Sequence, residues 1–195
     1  MQPTNEPTNN YGGTPDDTPK VVTWIKRMES ARVLDVPARL LQGLAAVLTA
    51  SPARRDALLG MPAGHALHPV LTDLPIGFWT SATVLDLVGG KQSRPAATRL
   101  LALGLLAAVP TSVTGLAEFE ATGQREKRVG VLHVAANSVA LACYASSLRA
   151  RRKDRHTRGV LLALAGSSAT GVSGYLGGHL TSVRKVSSRH PGFGL

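Results

Sequence analysis

Apolar positions are unevenly spread along this chain. Up to residue 66 the sequence is mostly polar; from Leu67 onward, long apolar windows alternate with short charged connections. Four windows run from Leu67 to Val88, Thr98 to Phe119, Val129 to Leu148 and Gly159 to Leu180. Each is close to the roughly 20 residues that cross about 30 Å of hydrocarbon. Stretches such as LLALGLLAAVPTSVTGL and GVLLALAGSSATGVSGYLGG lack the charged face that a soluble bundle needs on its outside. The pattern predicts an all-α fold, a four-transmembrane-helix bundle over residues 64–182. Connections of about ten residues join only antiparallel neighbours, so the order is up-down-up-down.

The segment before the spans reads differently. Residues 1–18 are rich in Pro, Thr and Asn, show no charged-then-apolar leader pattern, and predict a disordered tail. Residues 19–63 predict short amphipathic helices. Thr18-Pro19 supplies a cap followed by Pro at the first helical position. Val21, Trp24, Ile25 and Met28 then fall on one stripe, and Val36, Leu40, Leu41, Leu44, Val47 and Leu48 on a second. Ser51-Pro52 opens a third helix, which Gly60 can close. Lys26, Arg27, Arg32, Arg39, Arg54 and Arg55 surround the stripes. Two placements stay open: in the lipid headgroups, or packed on the bundle. Residues 183–195 form a C-terminal tail.

Charge changes the picture only by what it excludes. The formal net charge is +10, but aromatic residues make up 4% and the cations sit between apolar windows rather than along one face. That distribution fits membrane-flanking residues and no nucleic-acid partner. The third connection, RARRKDRHTR, is the densest in Arg and Lys and points to the cytoplasmic side of a bacterial inner membrane, crossed several times. Moving the long polar N-terminal segment outward argues the other way. The single Cys143 excludes an internal disulfide and reads as a packing residue. Small residues (Gly104, Ala108, Ser112 and Gly115 in the second span; Gly171, Gly174, Gly177 and Gly178 in the fourth) predict close helix contact. Pro75 and Pro110 predict local openings whose freed carbonyls neighbours satisfy.

Threading the polar residues through alternating spans brings several to one membrane face. His65 and His68 begin span one, Glu118 ends span two, His133 and Asn137 lie early in span three, and His179 ends span four. Asp73 lies about 9 Å inside its boundary at 1.5 Å per residue. Ionisable groups within a membrane are costly and mark pathways, relays or ligands. Neutral imidazole is a ligand for haem iron and for transition metals. His68, His133 and His179 are therefore the candidate metal ligands, and His65, Asp73, Glu118 and Asn137 complete the candidate cofactor site. The competing reading gives each histidine a structural role at a helix end. Asp86, at the opposite face, is expected to pair with Lys91, Arg94 or the Arg cluster. No nucleotide loop, nucleophile elbow or HExxH occurs, so no catalytic residue is assigned.

The segments GHALHPVLTDLPIGFWTSATVLDL, GLAEF, RVGVLHVAANSVAL and SGYLGGHL resemble a bacterial membrane-protein family catalogued as domain of unknown function (DUF) 2231. The resemblance implies four transmembrane helices and motif histidines at His68, His133 and His179. Fusions of Rieske and cytochrome c domains to such bundles imply a redox setting by association; the CxH pair of a Rieske centre does not occur here. Two functions follow as expectations. One is a haem b or transition-metal protein passing electrons, with a redox protein or quinone as partner beside the lipid bilayer. The other is a non-enzymatic structural, partner or transporter-associated subunit whose histidines tie helices together.

Overall fold

The computed structural model describes residues 18–187 and 190–193, and the regular structure among them is helical. The expected disordered tail lies outside the described residues, Thr18 apart. In chain order the helices are α1 (Lys20–Ser30), α2 (Asp35–Thr49), α3 (Pro52–Leu58), α4 (Leu67–Val88), α5 (Arg94–Glu120), α6 (Gln124–Arg151) and α7 (His156–Gly178). A π-helical turn, His179–Val183, continues α7. Helix α4 packs along α5 and α6 along α7, while contacts of α5 with α6 and of α4 with α7 close the four into a ring.

The helices outrun the apolar windows. Residues 121–123 and 152–155 are all that separate α5 from α6 and α6 from α7, where connections of about ten residues were expected. Their charged ends, from Arg94, Gln124 and His156, continue the helical hydrogen bonding beyond the hydrocarbon-length core. Among the described residues three stretches, Lys91–Glu120, Gln124–Arg151 and His156–Val183, are long and apolar enough to cross a membrane. Helix α4 forms over the expected residues, and its 22 residues span about 33 Å. It falls short of the same apolar standard, with His68, two prolines, several threonines, Asp73 and Asp86 all lowering its mean hydropathy. A fourth such span among the described residues arises only if α2 and α3, bent by 110°, count as one broken span. The protein is an all-α membrane bundle.

Pro75 shows how the bundle tolerates a break. Its missing N–H leaves the Leu71 carbonyl unsatisfied, and the Thr111 hydroxyl on α5 lies 3.0 Å from that oxygen. The N-terminal helices, meanwhile, split their apolar surface. Helix α1 begins at Lys20 with Pro19 in the cap position, one residue later than expected. Ile25 and Met28 bury against Val129, Leu132, Leu176 and Leu180, whereas Val21 and Trp24 remain exposed. In α2 the buried side is Ala38 and Ala45, while Val36, Leu40, Leu44 and Val47 face outward. Packing therefore uses Ile25 and Met28 of the first expected stripe, and in α2 buries the alanine edge beside the second stripe, leaving most of that stripe's bulky residues at the surface. Helix α3 opens at Pro52 after Ser51, as its sequence predicts.

The bundle is also a repeat. Trp79 follows His68 by the same eleven positions that separate Tyr144 from His133, and Asp86 and Arg151 each lie seven further on. In the second helix of each hairpin, Gly104 and Gly115 correspond to Gly166 and Gly177, again eleven apart. Trp79 lies over Gly104 as Tyr144 lies over Gly166, and His68 lies over Gly115 as His133 lies over Gly177. Equivalent residues meet one another: the Trp79 and Tyr144 rings stack with centroids 4.1 Å apart, and Asp86 pairs with Arg151. Such self-matching contacts define an approximate two-fold axis running along the bundle between hairpins α4–α5 and α6–α7.

Candidate functional site

The two histidines of the repeat sit together on that axis. His68, in the first turn of α4, and His133, on α6, have ring centroids 6.4 Å apart and planes at 88°. Each ring is held the same way. His68 Nδ1 donates to the Thr111 carbonyl on α5 at 2.9 Å. His133 Nδ1 donates to the Ser173 carbonyl on α7, also at 2.9 Å, with the Ser173 hydroxyl 3.0 Å away. Both acceptors lie four residues before the glycine that makes room for the ring. A Cβ on Gly115 would stand 2.6 Å from His68 Cε1, and one on Gly177 3.0 Å from His133 Cε1. Placing the proton on Nδ1 leaves Nε2 as a lone-pair nitrogen in both rings. At His133 that nitrogen accepts from Asn137 Nδ2 at 3.1 Å, one helical turn along the same face.

The other expected members go elsewhere. His179 lies in the π-turn and its Nε2 meets Glu29 Oε1 of α1 at 2.8 Å. Glu29 is also bound by Arg184, through Nε at 2.6 Å and through Nη2. The Arg184 guanidinium, and then His179, hold the Glu29 carboxyl below its ordinary range against the opposing effect of burial. His179 is thus part of a clasp between the N-terminal helix and the end of the bundle. His65 is exposed and its Nδ1 lies 3.1 Å from the Ala66 carbonyl. Asp73 is exposed on the outer face of α4, and Glu118 is buried near the end of α5. Of the seven candidates, the fold brings together His68, His133 and Asn137. Among the described residues no three His, Cys, Asp or Glu form a group that could hold a metal ion.

Several residues that build the site carried no flag in the sequence. Glu29 and Arg184 are far apart in the chain and read as ordinary charges. Thr111 and Ser173 act through carbonyl oxygens, which no side-chain motif reports. The signal that was there is the repeat itself, with its matched spacing of His, aromatic and charged residues against glycines. At the other end of the bundle, Asp86 found its partner in the Arg cluster, as expected: Arg151, whose Nη1 lies 2.8 Å from Asp86 Oδ1. His156 starts α7, 3.9 Å from the same carboxylate.

Residues 64–190 match the family described as predicted membrane protein, DUF2231. The chain belongs to this family. The match begins just before α4 and ends beyond the π-turn, so it contains the whole four-helix ring and both histidines of the axis. A search of curated proteins found no match, nor did a search of solved structures.

Proposed function

We propose that this membrane protein carries a two-imidazole ligand centre, His68 and His133, for haem b or a transition-metal ion, and serves electron transfer within the bilayer. The observation that carries the reading is the matched anchoring of the two rings. A metal-ligating histidine almost always gives its other ring N–H to a carbonyl, carboxylate or water, which fixes the tautomer and aims the ligand nitrogen. Both rings do this to main-chain carbonyls, at one level and on facing helices. The ring centroids lie 6.4 Å apart, near enough for both imidazoles to address one ion. Two imidazoles suit haem iron better than tetrahedral zinc, which needs further protein ligands. Bound there, haem would supply a one-electron couple shielded by the apolar helices. The chain's own part is to hold the rings and exclude water. A quinone or a redox protein is the partner this reading calls for.

A second reading rests on Asn137. Its amide engages His133 Nε2, the atom a metal would need, so the histidines also read as hydrogen-bonded ties within each hairpin, α4 to α5 and α6 to α7, of a non-enzymatic subunit. One experiment separates the two. The full chain is purified in mild detergent after growth with a haem precursor, and its visible spectrum is recorded before and after dithionite, with elemental analysis. A Soret band with reducible α and β bands, lost in His68→Ala and His133→Ala but kept in His179→Ala, supports the ligand centre. A colourless, metal-free preparation that stays monodisperse overturns it in favour of the tie.

A further inference from the structure

A cavity of about 450 Å³ opens where α1 meets the start of α6 and the segment after the π-turn. Its charge is one-sided. Lys26, Arg32, Arg125, Arg128 and Arg184 line it, against the single carboxylate of Glu29. Two of those cations are committed: Arg128 is bound to Asp35 at 2.7 Å, and Arg184 to Glu29. Lys26, Arg32 and Arg125 have no carboxylate within ion-pair distance among the described residues. They come from three different segments, and packing of α1 and α2 on α6 brings them to one mouth.

We infer that this cavity binds the phosphate headgroup of an anionic phospholipid. Three cations without an ion-pair partner among the described residues, converging on a concave surface, supply the charge and the donors that a phosphate group requires. Basic pockets at the ends of membrane helices are suited to such headgroups. The level fits as well. Arg125 and Arg128 lie within about 6 Å of the start of the apolar window at Val129, at 1.5 Å per residue, which is the depth of headgroups. The surroundings favour a lipid over a soluble phosphate. Helix α1 carries exposed Val21, Val22 and Trp24 beside Lys26, and α2 carries exposed Val36, Leu40 and Leu44. Acyl chains can lie along such residues, and tryptophan favours this depth.

Arginine and lysine near any anionic membrane attract it, so the test must separate a built site from general attraction. Detergent-purified full-length protein is titrated with dioleoyl phosphatidylglycerol, dioleoyl phosphatidylcholine or inorganic phosphate, and bound lipid is counted by native mass spectrometry. One phosphatidylglycerol binds at least about tenfold more tightly than phosphatidylcholine. The variant Lys26→Gln/Arg32→Gln/Arg125→Gln loses that preference, while Arg152→Gln/Lys153→Gln/Arg155→Gln, on the opposite face, retains it. The three pocket cations are exposed and make no ion pairs among the described residues, so their loss spares the fold, which circular dichroism checks. Equal binding of the two lipids by the unaltered protein, or an undiminished preference in the pocket variant, overturns the proposal. Millimolar phosphate displacing phosphatidylglycerol from the unaltered protein would assign the cavity to a soluble anion and overturn it also.

Discussion

Asp86 and Arg151 form an ion pair at the end of the bundle remote from the histidines, and both side chains are only 2% exposed. Arg151 is held in turn by Ser147, whose hydroxyl donates to the Gly159 carbonyl at 2.6 Å. The pair joins α4 to α6 across the two-fold axis, where the repeat places equivalent positions face to face. The duplicated framework thus carries opposite charges at matched sites, and like charges there would repel.

Removing one member strands a buried charge. Asp86→Ala is expected to cost about 3–5 kcal/mol, whereas Asp86→Leu/Arg151→Met restores most of the loss. Thermal unfolding in detergent reads both. An Asp86→Ala protein with the stability of the parent would show that the pair contributes nothing.

Replacing either glycine that seats an imidazole forces the ring to move. A Cβ at position 115 meets His68 Cε1 at 2.6 Å, closer than the 3.0 Å met by one at 177. Gly115→Ala is therefore expected to destabilise more than Gly177→Ala, with overpacking costs of about 1–3 kcal/mol. Gly171→Ala, with nothing within 4 Å of the new methyl, serves as the neutral control. The order of the three melting temperatures decides the matter.

The stacked rings should respond according to what each loses. Trp79→Ala removes a buried indole and its stacking on Tyr144, at about 3–5 kcal/mol. Tyr144→Phe keeps the ring and loses a hydroxyl lying 3.2 Å from Ser167 and 3.4 Å from Thr170, at about 1 kcal/mol. Comparable losses in the two variants would contradict this assignment.

Acid should loosen the N-terminal helices. Arg128 holds the Asp35 carboxyl at about 2, below its ordinary 3.8, and Arg184 with His179 holds Glu29 below its ordinary 4.5. A depressed carboxyl stabilises fully above its ordinary value, and the contribution fades as pH falls through the folded-state value. The contribution of these two carboxylates to docking of α1 and α2 is thus present above about pH 4.5 and weakens below it. Limited proteolysis across that range checks it, with a Glu29→Gln variant expected to be labile already at pH 7.

Two hairpins related by an axis need no covalent link at the turn between them. Separate chains 1–121 and 122–195, expressed together, are expected to copurify through the Trp79–Tyr144 and Asp86–Arg151 contacts. Failure to copurify, with each half present in the membrane, would show that the turn at residues 121–123 is essential to assembly.

The sequence by itself determined the parts that depend on local chemistry. Runs of apolar residues with no polar face dictate membrane helices, and α4 begins and ends where its pattern says. Alternating direction alone put His68 and His133 at one level, since level follows from counting residues. It could not say which way a side chain turns about its helix. The tertiary structure decided that His133 turns to the axis while His179, from the same membrane face, turns to Glu29. It also decided which edge of α1 and α2 is buried. The physical reason is common to both: lipid is indifferent to rotation of an all-apolar helix, so orientation is fixed by small residues, freed carbonyls and opposite charges on neighbours distant in the chain.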